Sequence, residues 1–153
     1  MSRRRRARAR LLAPLVALAV LPLTGCGGDP VEDYCATVKQ HQEELTEIAA
    51  DGGPTALLAA LDAFRDLQDR APADIADEWQ QVVGRLTDLE DELDSADVDP
   101  STYDRDAPPP GLDAGERARI EAAASALVSA ETGQALEGLQ QQARDVCKTP
   151  LTL

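Results

Sequence analysis

Between about residues 30 and 147, apolar residues recur at the three- and four-residue spacing that places side chains on one face of an α-helix. No stretch alternates apolar and polar residues in the way a half-buried β-strand does. The spacing therefore predicts an all-α fold, a helical bundle of four helices with the last one broken into two.

Residues that start and end helices divide this region. Asp29-Pro30-Val31-Glu32 predicts an N-terminus, because an acidic N-cap, a proline at the first helical position and a glutamate at the third all suit one. Gly52-Gly53 predicts the end of this first helix, Pro54 the start of a second, and Pro72 the boundary with a third. The predicted apolar faces of these helices are Val31, Tyr34, Cys35, Val38, Leu45 and Ile48; Leu57, Leu58, Leu61, Phe64 and Leu67; and Ile75, Trp79, Val82, Val83, Leu86, Leu89 and Leu93.

The last helix is predicted to begin after Asp113, with Glu116 completing a capping box, and its pattern continues to Cys147. One uninterrupted helix of this length would be about 52 Å long, against roughly 27–33 Å for the others. We therefore expect a break between Ser129 and Gly133, where Ser, Thr and Gly weaken the helix.

A proline-rich loop is predicted at residues 97–112, because Pro100 and the run Pro108-Pro109-Pro110 are incompatible with a continuous helix. A connection of this length is long for a compact domain and is either functional or disordered. Its acids faintly suggest a calcium loop, but the required glycine and glutamate positions hold Thr102 and Pro108, so calcium binding is not expected. The residues concerned are Asp97, Asp99, Ser101, Asp104 and Asp106.

The first 25 residues have the layout of an export signal. Six arginines and no acid precede thirteen uncharged residues, from Leu11 to Leu23. The apolar stretch contains two prolines and is shorter than the about 20 residues that a membrane-spanning helix needs. A secretory signal is therefore the better interpretation.

The sequence Leu23-Thr24-Gly25-Cys26 resembles the lipobox of bacterial lipoprotein precursors, in which a leucine and two small residues precede a lipidated cysteine. The resemblance implies cleavage between Gly25 and Cys26, removal of residues 1–25 and attachment of lipid to Cys26. Residues 26–29 would then form a short lipid-anchored tether and residues 30–150 a single helical domain. Membrane lipid would be a partner through the acyl anchor, on the extracytoplasmic face of the cell membrane. In composition the remaining chain resembles small actinobacterial helical lipoproteins of unknown function.

With Cys26 assigned to lipid, Cys35 and Cys147 remain as an even pair in an exported chain. Because oxidising compartments favour disulfides, we expect these two residues to link the terminal helices. Two buried free thiols are the alternative. The disulfide requires Cα atoms within about 7 Å of each other.

The chain that follows Gly25 is strongly acidic. Six of the 15 Lys and Arg residues lie in the leader, which leaves nine against 28 Asp and Glu and a formal net charge of −19. This charge argues against nucleic acid as a partner and against contact with anionic lipid along a whole face. The favoured interpretation is a solvated surface, and attraction of cations or a cationic partner is the alternative.

No catalytic constellation is recognisable. His41 is the only histidine, no serine lies in a GxSxG motif, and carboxylate pairs can be chosen freely among so many acids. His41 and Glu44 could supply two ligands to a metal, but a boundary histidine with satisfied hydrogen bonds is the favoured interpretation. Trp79 is expected in the core, and close approach of a neighbouring helix is the expected reason for Gly84 and Gly138 inside helices.

These observations predict a non-catalytic binding or interaction module at the cell envelope, with an unidentified protein or ligand as partner. Neither a cofactor nor a metal is expected. Capture of cations by the acidic surface is one alternative, and a carboxylate-based envelope enzyme is a weaker one.

Overall fold

The computed structural model describes residues 28–53 and 55–152. Within these residues the chain forms helices and no β-strand, which confirms the predicted all-α class. The helices are α1 (Pro30–Asp51), α2 (Ala56–Ala59), α3 (Leu61–Arg70), α4 (Ala76–Ser95), α5 (Ala114–Leu127) and α6 (Ala130–Asp145).

The capping residues predicted for the first helix take these positions. The carboxylate of Asp29 accepts a hydrogen bond from the Val31 amide at 2.9 Å, and Pro30 occupies the first turn. Gly52 and Gly53 follow the helix with φ of 63° and 98°, a backbone region that favours glycine. Sequence alone was sufficient here because helix caps are local hydrogen-bonding patterns. Pro54, the predicted start of the second helix, lies outside the described residues.

The second predicted helix is in fact two, which raises the number of helices to six in the described residues. The chain bends at Ala60, whose ψ of −5° departs from helical geometry although no glycine or proline is present. Leu61 packs in the main core, whereas Leu58 also contacts a second apolar cluster. We attribute the bend to packing against both clusters, since local sequence does not require it.

Helix α4 lies at the centre, packed against α3, α5 and α6, while α1 packs against α3. The aromatic residues meet at the N-terminal half of α4. Trp79 is fully buried, as predicted, and its indole donates a hydrogen bond to the Tyr34 hydroxyl at 3.1 Å. The Phe64 and Trp79 ring centroids lie 5.6 Å apart. Three aromatic side chains thus fill a core otherwise made mainly of aliphatic residues.

The last helix is broken as predicted, at the N-terminal end of the range Ser129 to Gly133. Helix α5 ends at Leu127, and Ser129 caps α6 by accepting a hydrogen bond from the Thr132 amide. Thr132 and Gly133 lie inside α6, so the break is shorter than predicted. Asp113 and Glu116 form the predicted capping box, with reciprocal hydrogen bonds of 2.8 and 2.9 Å.

The predicted disulfide is present. The Cα atoms of Cys35 and Cys147 lie 5.0 Å apart and the two sulfurs are bonded. Cys147 follows the end of α6 at Asp145 rather than continuing the helix, and neighbouring Val146 is 47% exposed. The last helix therefore ends two residues before the predicted end at Cys147.

Gly84 and Gly138 do not mark unusually close helix contacts, contrary to the sequence interpretation. A Cβ atom at Gly84 would meet nothing within 4 Å, and one at Gly138 would meet only the Glu78 Cγ at 3.8 Å. Both positions have room for a Cβ atom.

None of the helices in residues 28–53 and 55–152 is both long and apolar enough to cross a membrane.

Candidate binding groove

An open groove lies between the proline-rich loop, α2, the C-terminal half of α4, and α5. Its volume is about 580 Å³, within the usual range for small-molecule sites. Two smaller hollows of about 320 and 200 Å³ share its lining residues and extend it on either side. The apolar lining consists of Leu58, Leu89, Leu93, Pro100, Tyr103, Ile120 and Ala124. We call this feature the Tyr103 groove.

The loop that forms one wall is anchored by its apolar residues. Val98, 7% exposed, donates its amide to the Leu93 carbonyl and belongs to a second apolar cluster with Leu89, Leu93 and Ile120. Tyr103 and Leu112 pack against the same cluster. Of the two alternatives for residues 97–112, functional or disordered, this packing favours an ordered segment that shapes a site.

Short-range hydrogen bonds fix the loop between these anchors. The Asp99 carboxylate accepts from the Ser101 amide and hydroxyl at 2.8 and 2.6 Å, and Asp104 accepts from the Asp106 amide at 2.8 Å. Hydrogen bonds from Ser101 hold the pKa of Asp99 below its ordinary value. These acids therefore act as turn-forming residues. In the described parts of the chain, no group of three or more His, Cys, Asp or Glu residues could hold a metal ion.

The hydroxyl of Tyr103 is buried and has no hydrogen-bond partner among the described residues. A buried polar group without a partner costs about 1–3 kcal/mol. Tyr103 lines the groove, but its hydroxyl is shielded from solvent, so a ligand there would contact other atoms of this side chain. Sequence contained one signal for this residue: it is the aromatic residue of the chain after Gly25 that does not fit an apolar helix face.

Charged side chains surround the apolar lining. Asp94, Asp104, Arg105 and Glu121 line the groove or its extensions. Glu90 also lines one extension, but it accepts a 2.7 Å hydrogen bond from Arg65, which balances its charge. Apart from that pair, the lining carries three carboxylates and one guanidinium.

His41 lies away from the groove and joins α1 to α3. Its Nδ1 is 3.0 Å from the Glu44 carboxylate and its Nε2 is 2.9 Å from the Asp66 carboxylate. Burial lowers the pKa of His41, but hydrogen bonds and charges from both acids outweigh burial, so the pKa is raised above 6.5. Both nitrogens can donate only in the imidazolium form. The boundary histidine predicted from sequence is present, with Asp66 as an unpredicted partner.

Burial raises the pKa of Tyr34 to about 12, with Asp74 adding to the effect and the Trp79 hydrogen bond opposing it. The phenol therefore stays neutral at physiological pH and belongs to the core.

The sequence-predicted site residues and the groove are separate. Cys35 and Cys147 are brought together in a disulfide, whereas Gly25 and Cys26 lie outside the described residues. The groove depends on contacts between segments distant in sequence, and the sequence interpretation missed it. No family model, curated protein or solved structure matches this chain.

Proposed function

We propose that this chain is a lipid-anchored, extracytoplasmic, non-catalytic binding protein that takes a ligand in the Tyr103 groove. The observation that carries the binding role is the groove itself. It combines a largely apolar lining with a volume suited to a small molecule.

The lipobox at residues 23–26 supports the anchor, and the Cys35–Cys147 disulfide supports an oxidising compartment such as the extracytoplasmic space. The tether would be short, because only Gly27, Gly28 and Asp29 separate Cys26 from Pro30. At no more than about 3.5 Å per residue, α1 would begin within roughly 14 Å of the lipid.

The groove and the anchored end would then be at opposite ends of the protein. Tyr34, near the start of α1, bonds Trp79 near the start of α4, whereas the groove lies at Leu89 and Leu93 near its end. At 1.5 Å per residue, Trp79 and Leu93 are about 21 Å apart along the axis of α4. The groove would therefore lie in the part of the domain that is farther from the bilayer.

The geometry around His41 favours binding over hydrolysis as the function. Both ring nitrogens face carboxylates in contacts that connect two helices, and His41 does not line the groove. The histidine therefore has a structural role.

The anchor is tested by replacing Cys26 with Ala in the producing bacterium. Wild-type protein should incorporate labelled fatty acid and fractionate with membranes, because the thiol carries the lipid. The Cys26→Ala variant should incorporate none and be released or remain as uncleaved precursor. Equal labelling of the two proteins would contradict the assignment. The Cys35→Ala, Cys147→Ala double variant is the matched control and should retain the label.

A further inference from the structure

We infer that the Tyr103 groove takes a small apolar molecule that carries a cationic group, such as an alkylammonium. This inference rests on the proposed binding function and deepens it by assigning the ligand's chemistry. The apolar part of such a molecule would lie against Leu58, Leu93, Ile120 and Tyr103, which belong to one apolar cluster or pack against it.

The charge of the groove determines the sign of the ligand. Asp94 is exposed and has no ion pair among the described residues, and it lines the groove extension beside Leu93. Asp104 and Glu121 add two further carboxylates, against the single guanidinium of Arg105. A cationic group beside Asp94 would therefore meet net negative charge while its apolar part is removed from water.

The field of the whole protein acts in the same direction. With nine basic against 28 acidic residues after Gly25, the net charge of −19 attracts cations and repels anions. A neutral apolar molecule would gain nothing from this field, and an apolar carboxylate would be opposed by it despite the presence of Arg105. The groove should consequently discriminate among molecules that share one apolar chain and differ only in charge.

Three eight-carbon probes provide the test: octylammonium, octanol and octanoate, each below its aggregation concentration. Binding to the purified, disulfide-bonded protein is followed by NMR shifts of groove amides and by calorimetry. Octylammonium should bind about tenfold or more tightly than octanoate, with octanol between them. Added salt should weaken octylammonium binding and leave octanol binding nearly unchanged.

Two pairs of variants assign the site. Asp94→Asn should weaken octylammonium binding about two- to fivefold, as expected for an exposed charge pair, and leave octanol binding unchanged. Asp69→Asn is the control, because Asp69 is also exposed and lines no part of the groove. Ala124→Trp should block all probes by filling the groove, whereas Ala122→Trp, exposed on the same helix, should not.

The outcomes separate the inference from the proposed function. Equal binding of all three probes, sensitive to Ala124→Trp, would overturn the charge inference while keeping the groove as an apolar site. Absence of groove shifts with every probe would overturn both the inference and the groove's binding role. Tighter binding of octanoate would also overturn the inference, by assigning the ligand contact to Arg105.

Discussion

His41 is the residue whose charge the fold controls most directly. Contacts with Glu44 and Asp66 raise its pKa above the ordinary 6.5, so the native state binds a proton that the unfolded chain releases at lower pH. The stabilisation is fully present below about pH 6.5 and is lost as pH rises through the native pKa.

We therefore predict that the free energy of unfolding decreases as pH rises above about 6.5, as measured by urea denaturation at several pH values. His41→Gln should flatten this dependence, because the amide has no charge to lose. Unchanged pH dependence in His41→Gln would assign the titration to another group.

Gly84 was predicted to mark a close contact between helices, and the structure shows no such contact. It lies on the exposed face of α4 with space for a Cβ atom, so glycine costs helix stability without a compensating contact.

Gly84→Ala should raise the free energy of unfolding by about 1 kcal/mol, measured by urea denaturation. Gly52→Ala provides the contrast, since φ of 63° at this position should make the same substitution destabilising. A loss of stability in Gly84→Ala would indicate a contact that the described structure lacks.

The junction between α5 and α6 shows how one side chain divides a helical segment. The Ser129 hydroxyl accepts a hydrogen bond from the Thr132 amide at 3.3 Å and lies 3.1 Å from the Thr132 hydroxyl. The Thr132 hydroxyl donates its hydrogen to the Ala126 carbonyl. Thr132 is itself fully buried, so the cap is joined to the core.

Ser129→Ala should lower the free energy of unfolding by about 1 kcal/mol, the usual cost of a lost N-cap. Thermal denaturation is a sufficient measurement. The control is Ser125→Ala, because the Ser125 hydroxyl donates to the Glu121 carbonyl within the same helix and caps no helix end. Equal losses in the two variants would mean that Ser129 does not act as a cap.

For the whole molecule, the Cys35–Cys147 disulfide is the dominant constraint on the unfolded state. It joins residues 112 positions apart, and a loop of about 100 residues corresponds to about 4.7 kcal/mol in the chain-entropy model. Total stabilities are commonly about 5–15 kcal/mol, so this contribution is a large share.

The Cys35→Ser, Cys147→Ser variant should accordingly lose about 2–5 kcal/mol in urea denaturation. Reduction of the wild-type protein should produce the same loss and should not affect the variant. A loss below about 1 kcal/mol would show that the helical core holds the terminal regions together without the crosslink.

The sequence by itself determined the helical class and most helix ends, and it predicted the cysteine pairing that the structure contains. Periodicity marks apolar faces, and capping at Asp29 and Asp113 involves residues within one turn. If Cys26 carries lipid, as the resemblance to a lipobox implies, the two other cysteines have one possible pairing. Such features depend on local geometry or on simple counting, so one chain is enough to predict them.

Only the tertiary structure decided the bend at Ala60, the Asp66 partner of His41 and the Tyr103 groove. The groove joins α2, α4, α5 and a loop, and the residues that line it run from Thr55 to Ala124 along the chain. Local spacing cannot bring such segments together, because their approach is set by how two apolar clusters share Leu58 and divide the remaining side chains.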